Sequence, residues 1–461
     1  MYQIFFFQDF IIYTLLMKNR KLRFIDLFSG LGGFRIGFEK ACKKKNLLSE
    51  CVLSSEIKKH AISTYKLNFK NYKNCGDITK VKDNEIPYFD VLLAGFPCQS
   101  FSSAGAKRGF HDTRGTLFFE IARILKAKKP KGFILENVEG LVKHDLEKND
   151  DQIGKTLKII LKTLKNLGYN VTWNLLNSKN FGVPQDRNRI FIVGCRNNKT
   201  IDLNGFNIKK STFKNIQENI NNIKTSKFKE LLLKKYQPKE LYGKAIKDKR
   251  GGSSNIHSWD LEIKGKISRS QKKLMTELLK QRRRKDWAKK KGIDWMDGMP
   301  LTVDEIHTFF GNKTLFEKGI SKIFLKKMLF DLAKKGYLSF EHPKKRFKIK
   351  TKDGHYFKRV DDKQLEKGFN IVVGKLSFEI SKIIDPMGLT PTLLATDMER
   401  LGIVDRGKIR SLSIGECKKL FGFSGSYQIN LNSSKSYNLF GESIVIPVVK
   451  SVSERLIEAI I

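Results

Sequence analysis

The fold of this chain is indicated first by the segment Leu22-Arg23-Phe24-Ile25-Asp26-Leu27-Phe28-Ser29-Gly30-Leu31-Gly32-Gly33. Its first seven residues have the apolar content of a buried strand. The glycines form a turn, and Phe34–Lys43 has the pattern of a helix. A strand, a glycine turn and a helix in this order are typical of an α/β fold that binds a ligand at the helix N-terminus.

The same alternation continues to about residue 200 and predicts a parallel α/β sheet. Strands are predicted at Leu22–Phe28, Cys51–Ser55, Asp90–Leu93, Gly132–Leu135 and Arg189–Gly194. Helices are predicted at Phe34–Lys43, Thr116–Lys128 and Thr156–Leu167. Open sheets of this class bind ligands at the carboxyl ends of their strands.

The charge of the chain is strongly positive, at +42 over 461 residues. Such an excess favours a polyanionic partner, most simply nucleic acid. Residues 201–390 contain 45 Lys and Arg against 22 Asp and Glu. We therefore expect a catalytic and cofactor-binding domain over 18–200, a basic insert over 201–384 and a return to the first domain over 385–461.

Residues 1–17 are almost uniformly apolar, with Asp9 as their only charge. The segment is short for a membrane span and lacks the basic flank and cleavage site of a signal peptide. We interpret it as a mis-assigned extension upstream of Met17, with a membrane anchor as the alternative. The six cysteines are widely spaced without a C-x-x-C pair, so no metal site or disulfide framework is predicted, and a reducing cytoplasm fits.

Polar residues follow several of the predicted strands. Cys98 lies in Pro97-Cys98-Gln99 after an apolar run, and Glu136 follows the next strand. An isolated cysteine is more often a small core residue. A right-handed strand–helix–strand crossover, however, would bring Cys98 and Glu136 to the same sheet edge. That edge would then hold a nucleophile beside a carboxylic acid.

The glycine turn does not follow the dinucleotide-binding pattern, because Arg35 stands where the third glycine is required. Glu56 ends the second strand, where a carboxylate can accept hydrogen bonds from ribose hydroxyls. Asp77 and Ile78 supply a polar group and an apolar wall suited to adenine. These residues favour an adenosine-type cofactor that is not a dinucleotide.

Five segments, in this order, resemble the motifs of the DNA (cytosine-5)-methyltransferases of bacterial restriction–modification systems. They are Asp26–Phe34, Gly95–Ser102, Glu136–Val138, Gln185–Arg189 and Gly441–Val445. Weaker matches occur at Glu56, Gly76–Ile78 and Thr390–Gly422. The resemblance covers about 22–200 and 385–455. It implies a Rossmann-like S-adenosylmethionine-dependent methyltransferase sheet, with the basic insert as the target-recognition domain.

The resemblance also implies roles for individual residues. Cys98 would be the thiolate that adds to C6 of a flipped cytosine, Glu136 would contact N3 and the exocyclic amine, and Arg189 would hold the O2 side. Asn137 would brace the Pro97–Cys98 loop. The implied catalytic residues are Cys98, Glu136, Arg187 and Arg189. Those implied for S-adenosyl-L-methionine are Phe28, Ser29, Gly30, Leu31, Gly32, Gly33, Glu56, Ile57, Asp77, Ile78, Pro97, Leu117 and Ser443.

The remaining basic segments are predicted to face DNA. Ser100–Gly115 contains three glycines together with Lys107, Arg108 and Arg114, which suits a loop that closes over a flipped base. In the insert, Gln271–Lys291 is predicted as one helix whose Arg282–Arg284 run faces phosphates or reads bases. Trp259, Trp287 and Trp295 are expected in the core. A helix over Thr314–Gly336 and a basic hairpin over 337–359 are loosely similar to a winged-helix module.

Several alternatives stay open at this point. Glu442 departs from the asparagine usual in the last motif, and its charge bears on cofactor binding. Paired arginines could be plain surface charge before an edge strand. The enzyme could act on RNA such as tRNA, or the chain could be a non-catalytic DNA-binding protein on the same scaffold. The main expectation is a monomeric cytoplasmic methyltransferase that acts on duplex DNA and pairs functionally with a restriction endonuclease.

Overall fold

The computed structural model describes residues 20–70, 72–97, 117–146, 151–221, 223–248, 255–311, 319–351, 354–373 and 378–461. Within them the strands are β1 (Lys21–Leu27), β2 (Leu48–Ser55), β3 (Val91–Gly95), β4 (Gly132–Val138), β5 (Asn170–Asn177), β6 (Asn188–Cys195), β7 (Leu338–Glu341), β8 (Lys344–Thr351), β9 (Gly354–Asp361), β10 (Gly368–Ile371), β11 (Lys382–Ile383), β12 (Leu401–Asp405) and β13 (Lys408–Ser411). The helices are α1 (Gly33–Lys44), α2 (Lys59–Asn68), α3 (Leu117–Lys128), α4 (Lys155–Asn166), α5 (Lys227–Lys235), α6 (Pro238–Leu241), α7 (Arg269–Gln281), α8 (Lys285–Lys290), α9 (Val303–Phe310), α10 (Lys322–Lys334), α11 (Ile414–Phe421), α12 (Ser433–Glu442) and α13 (Ile446–Ile460).

The chain divides into two compact units. The catalytic unit comprises the chain up to Asn221 together with Ile384–Glu399 and Leu412–Ile461. The insert unit comprises Asn222–Ile383 and Arg400–Ser411. These boundaries differ from the predicted insert over 201–384. The main chain of Phe213 bonds to that of Gly388, which holds the segment after residue 200 in the catalytic unit.

The catalytic unit is built on a six-stranded sheet in the order β2-β1-β3-β4-β6-β5. The first four strands are mutually parallel. The predicted parallel α/β sheet is confirmed for these four strands, whereas β6 runs antiparallel to both β4 and β5. The sequence reading also missed β5, and β6 is therefore an interior strand. Antiparallel pairing brings the beginning of β6 beside the carboxyl end of β4, where a ligand site was expected.

Helices cover both faces of this sheet. On one face α3 and α4 bury Phe118, Ile121, Leu157 and other apolar side chains in the same core as Ile25 and Leu92. Elsewhere α13 packs along α1, where a Cβ on Gly37 would lie 2.5 Å from the Val449 side chain. The glycine is therefore required by a close helix–helix approach. Among the residues that the structure describes, no helix has the length and apolar character needed to cross a bilayer.

The insert unit contains two separate apolar cores. The larger core collects buried side chains from α7, α9 and α10 together with β7 and β10. The smaller core collects Leu232, Leu241, Ile383 and Ile409 from its other elements. In the smaller part β11 pairs with β12, and β12 pairs with β13, which explains why 400–411 belongs to this unit.

Three expectations for the insert were wrong. The single helix over Gln271–Lys291 is divided into α7 and α8, and Arg282 follows α7 as its C-cap. Arg282 is only 1% exposed, so it is neither a phosphate contact nor a base reader. Trp259 and Trp287 are buried as expected, whereas Trp295 is 39% exposed.

Candidate active site

The polar residues of the expected site meet where β3, β4 and β6 lie side by side. Gly95 is the parallel partner of Glu136, and Val138 is the antiparallel partner of Arg189. Nε of Arg189 lies 3.0 Å from Oε1 of Glu136. Each side chain is 13% exposed, so this is a largely desolvated ion pair at the sheet edge. Arg189 is thus not plain surface charge.

The Glu136 carboxyl group has a raised pKa, because burial disfavours its charged form. Arg189 and Arg187 oppose this shift, but burial dominates. The second carboxyl oxygen is packed against Gly95, where a Cβ would lie 3.4 Å from it. A carboxyl group in this environment can retain a proton at higher pH than a glutamate in water.

Arg187 is held differently from Arg189. It is 3% exposed, and its guanidinium donates hydrogen bonds to the carbonyls of Leu393 and Ser443 at 2.8 and 2.9 Å. It also donates to the carbonyl of Gly441 and lies 5.5 Å from the ring centroid of Phe421. These bonds fix the segment around Ser443 to the beginning of β6. We therefore assign Arg187 a positioning role.

Asn137 contacts the first residue after β3. Asn137 is buried, and its Nδ2 donates to the carbonyl of Phe96 at 3.2 Å. Pro97 is the last described residue before Cys98. Cys98 and the whole of Ser100–Gly115 lie outside the described residues. So do residues 1–17.

The other five cysteines lie in the described part of the chain. Burial raises the pKa of each of their thiols, and it raises those of Cys42 and Cys51 to about 12. A thiol with a raised pKa contains little thiolate near neutral pH and is a poor nucleophile. The structure therefore gives none of these five the properties of a catalytic cysteine.

The turn after β1 forms a cradle of backbone groups. Phe28, Gly30 and Gly32 have φ values of 57°, 51° and 73°, which favour glycine at the last two positions. The N–H of Gly30 donates to Oε2 of Glu56 at 2.9 Å. A Cβ on Gly33 would lie 2.7 Å from Ile444 and 3.6 Å from Oγ of Ser443. Ser443 therefore lies beside the cradle.

Of the remaining expected cofactor residues, Glu56 and Ile57 directly follow β2. Oε1 of Glu56 accepts the N–H groups of Ile57 and Lys58, and Ile57 is 69% exposed. Asp77 caps a short 3-10 helix by accepting from the N–H of Thr79 at 3.1 Å, whereas Ile78 is buried in the core. Leu117 begins α3.

The cradle suits an adenosine-type ligand. Oγ of Ser29 is buried without a hydrogen-bond partner among the described atoms, and it lies in the turn itself. Leu31 is buried, and its carbonyl accepts the hydroxyl of Tyr427 at 2.6 Å, which fixes the turn from the far end of the chain. Small residues, an unsatisfied hydroxyl and a carboxylate that can accept from ribose fit the predicted cofactor.

The departure at Glu442 has a local explanation. Its carboxylate forms an ion pair with Nζ of Lys58, which is the neighbour of the Glu56–Ile57 segment. The charge of Glu442 is therefore balanced within the catalytic unit. Sequence reasoning missed Lys58, because an isolated exposed lysine in a lysine-rich chain gives no signal.

Arg35, which breaks the dinucleotide pattern, fills space beside the turn. Its guanidinium lies 4.2 Å from the ring centroid of Phe69 and donates to Glu39 at 2.8 Å. A Cβ on Gly32 would lie 2.5 Å from the same ring. Nearby, burial raises the pKa of Asp26 well above its ordinary value, and Oδ2 accepts the hydroxyl of Tyr65 at 3.3 Å.

A cavity of about 390 Å³ adjoins Arg189. It is lined by Val138, Glu139, Gly140, Asp186, Asn188, Arg189 and Thr392. The cavity lies where β4 ends and β6 begins, and Arg189 is the member of the Glu136–Arg189 pair that lines it. Sequence reasoning predicted Arg189 in this region but not Thr392, whose only signal was the weak Thr390–Gly422 match.

Comparison with known proteins is consistent with this geometry. The family model for C-5 cytosine-specific DNA methylase matches residues 22–458. The Type II methyltransferase M.NlaIV of Neisseria lactamica is 50% identical over 96% of this chain and 100% of its own length. The Type II methyltransferase M.NgoBV of Neisseria gonorrhoeae is 49% identical over the same shares.

Among solved structures, the methyltransferase EhMeth of Entamoeba histolytica superposes with a TM-score of 0.50 at 15% identity. The match covers 96% of this chain and 99% of that one. At this identity the likeness concerns the fold alone, and it agrees with the α/β sheet described above. Fold, motif order and full-length identity lead to one conclusion. This chain belongs to the C-5 cytosine-specific DNA methylases, enzymes that take their methyl group from S-adenosyl-L-methionine.

Proposed function

We propose that this enzyme methylates C5 of one cytosine within a specific duplex DNA sequence, and that it protects host DNA from a restriction endonuclease of the same specificity. Two relatives that match over nearly the whole chain are named Type II methyltransferases, which supports the restriction–modification role. The observation that carries the catalytic part is the desolvated Glu136–Arg189 pair at the end of β4.

Cys98 is the proposed nucleophile. C5 of cytosine is a weak nucleophile, and adding a thiolate to C6 converts the ring into an enamine with electron density at C5. A thiol ionises far more readily than a hydroxyl, which suits it to this step. After methyl transfer, loss of the C5 proton and elimination of the Cys98 thiolate restore the aromatic ring. The five described cysteines have raised thiol pKa values and are unsuited to the step.

Glu136 would contact the base at N3 and the exocyclic amine, whereas Cys98 adds at C6. Negative charge builds on the ring when the thiolate adds, and a protonated Glu136 can donate to N3 as this happens. Its raised pKa supports that protonation state. Arg189 would orient the carboxyl group through the 3.0 Å contact and bind the cytosine O2.

The cradle after β1 would hold the methyl donor. S-adenosyl-L-methionine, when bound, supplies an electrophilic methyl group to the cytosine ring. Phe28 would lie against adenine, with Asp77 and Ile78 at its edge, and Glu56 would accept from the ribose. Ser29 has a free hydroxyl for the ligand, and the turn Gly30–Gly33 would follow the methionine part.

The target base must leave the duplex, because C6 is shielded within the base stack. Ser100–Gly115 is proposed to close over the flipped cytosine, with Lys107, Arg108 and Arg114 on phosphates. The insert unit is proposed to select the sequence. Its excess of Lys and Arg supports phosphate binding that depends on salt.

The first test measures transfer of labelled methyl from S-adenosyl-L-methionine to duplex DNA and, in parallel, to tRNA. We expect label in DNA only, followed by bisulfite sequencing that reveals one recognition sequence. Label in tRNA alone would establish the RNA alternative. Binding of DNA without any transfer would favour the non-catalytic alternative. A plasmid methylated in this way should then resist the endonuclease that cuts the recovered sequence.

The second test identifies the nucleophile. Duplex DNA with 5-fluorocytosine at the target should trap a covalent complex, because fluorine cannot leave as a proton does. Cys98→Ser should abolish the complex, whereas the control Cys75→Ser should retain it. A complex that persists in Cys98→Ser would show that another residue is the nucleophile.

A further inference from the structure

The larger core of the insert unit has a distinctive chain order. It runs through α7, α8, an extended residue at Leu301, α9, α10, β7, the β8–β9 hairpin and β10. Leu301 pairs antiparallel with Phe369 of β10, and β10 pairs antiparallel with β7. The sheet order is therefore Leu301, β10, β7. Helices α7, α9 and α10 on such a sheet, with a hairpin between β7 and β10, follow the chain order of a winged helix-turn-helix, and α8 is an additional helix in the same core.

In that topology α10 is the second helix of the helix-turn-helix, which reads base edges in DNA-binding members of the class. One face of α10 is buried through Leu325, Met328, Leu329 and Leu332. The opposite face is exposed and mixes apolar with basic groups. Ile323 is 74% exposed and Phe330 45% exposed, and the exposed Lys326 and Lys327 lie on the same side. Such a face can contact both thymine methyl groups and hydrogen-bond acceptors of bases.

The β8–β9 hairpin has an unbalanced charge. Its two strands contain seven Lys and Arg against one Asp. Arg346 stands directly opposite Arg359 in the register, and Lys348 stands opposite Phe357 on the same face. Like charges in opposite positions destabilise a hairpin unless an anion lies between or above them. A row of phosphates would supply that anion.

Few of the described apolar side chains of the hairpin are buried. Contacts of its described residues nevertheless hold the basic side chains Arg346 and Arg359 in place. The Arg346 guanidinium lies 3.6 Å from the centroid of the Phe357 ring, and the two side chains share the face. Nη2 of Arg359 donates to the carbonyl of the half-exposed Trp295 at 3.0 Å. Phe347 and Phe357 are about half exposed. A two-stranded hairpin without a core is only marginally stable alone, so a partner would add order.

We propose that residues 255–311, 319–351 and 354–373 form a winged-helix DNA reader in which α10 reads base edges and the β8–β9 wing binds the adjacent phosphate backbone. The inference rests on the proposed function, since it assumes that duplex DNA is the substrate. It goes further by naming which elements of the insert unit give sequence discrimination and which give sequence-independent affinity.

The test uses full-length enzyme after the recognition sequence has been found. The helix variant is Lys326→Ala with Lys327→Ala, and the wing variant is Arg346→Gln with Lys348→Gln. The control, Lys162→Ala with Lys165→Ala on the exposed side of α4, removes the same charge from the catalytic unit. Affinity is measured at several salt concentrations for a duplex with the site and for one with the site scrambled. Thermal unfolding and S-adenosyl-L-methionine binding show that each variant is folded.

We expect the helix variant to lower the ratio of specific to non-specific affinity about tenfold or more. The wing variant should weaken both duplexes equally and reduce the slope of log affinity against log salt by about 2. A helix variant with the wild-type ratio, or a wing variant with the wild-type slope, would overturn the inference. The inference would also be overturned if the control variant changed the affinity ratio or the salt slope by the same amount. Failure of the wild type to methylate DNA would instead contradict the proposed function, and the salt slope of the wing variant would still test the wing.

Discussion

At the scale of single residues, the two arginines of one short motif have different tasks. Arg189 pairs with the Glu136 carboxyl group, whereas Arg187 is bonded to three main-chain carbonyls of the carboxyl-terminal segment. Arg189 lies within β6 and pairs with Glu136 at the sheet edge, whereas Arg187 precedes the strand and is buried. In our proposal Arg189 therefore faces the reacting base, and Arg187 faces the protein interior.

Glu136→Gln should lower kcat by about 10²- to 10⁴-fold, because a carboxamide cannot donate an acidic proton to N3. The pKa of Glu136 is raised by burial, so its protonated form persists to higher pH than that of free glutamate. Activity that needs this proton falls as pH rises through the raised pKa. A pH profile of kcat should show this limb in the wild type and lack it in the variant. If the variant kept the same fall of kcat with rising pH, that fall would belong to the titration of another group.

Arg187→Met should destabilise the fold by about 3 kcal/mol, because it leaves several buried carbonyls without a donor. Urea unfolding measures this loss directly. Affinity for S-adenosyl-L-methionine should fall as well, since the carbonyl of Ser443 is one of the acceptors. Arg187→Lys should restore part of the lost stability and part of the lost affinity for S-adenosyl-L-methionine. If Arg187→Met were as stable as the wild type, the positioning role that we assign to Arg187 would be wrong.

At the scale of elements, local pattern and long-range pairing were predicted with different success. The β1 strand, its glycine turn and α1 were correctly predicted, because periodicity and turn residues are local properties. The antiparallel direction of β6 was not predicted, because the hydrophobic pattern of a strand is the same in either direction. Arg282 was also misjudged. Three consecutive arginines look solvent-exposed, and its partner Asn370 is 88 positions away.

Gly37→Ala should destabilise the protein by about 1–3 kcal/mol through overpacking of α1 against α13. Helix propensity alone would favour alanine by about 1 kcal/mol, so the sign of the change separates the two effects. Gly425→Ala is a control outside the helices, because Gly425 lies in a turn and a Cβ there meets nothing within 4 Å. Stabilisation of Gly37→Ala would show that the two helices are more loosely packed.

Arg282→Met should cost about 2–4 kcal/mol of unfolding free energy. The Nη1 group donates to Oδ1 of Asn370 at 2.6 Å, and Asn370 in turn donates to Glu341 at 2.8 Å. Removal of the guanidinium takes away one donor to the buried Oδ1 of Asn370, which retains the N–H of Ile371 at 3.0 Å. Arg284→Met, at an exposed pair with Asp286, should change stability by less than about 0.5 kcal/mol. Chemical denaturation of both variants makes the comparison.

At the scale of the whole molecule, the net charge of +42 should dominate encounters with DNA. If six or more phosphates are neutralised, affinity for any duplex should fall by about 10³-fold between 50 and 200 mM salt. Fluorescence anisotropy with a duplex that lacks the recognition sequence would measure this fall in affinity. Salt-independent binding would mean that the lysines mainly reflect composition. Their sequence alone could not decide this, because exposed lysines look alike whether or not they bind phosphate.

The chain passes four times between the two units, after Asn221, Ile383, Glu399 and Ser411. A transplant of 222–383 into a related enzyme would leave β11 without its strand partner β12, and Ile380 and Ile383 without Ile409. A chimera intended to change sequence specificity must therefore carry 400–411 as a second graft. A single contiguous fragment that keeps the insert unit whole must run from 222 to 411, and it then also exchanges Ile384–Glu399 of the catalytic unit.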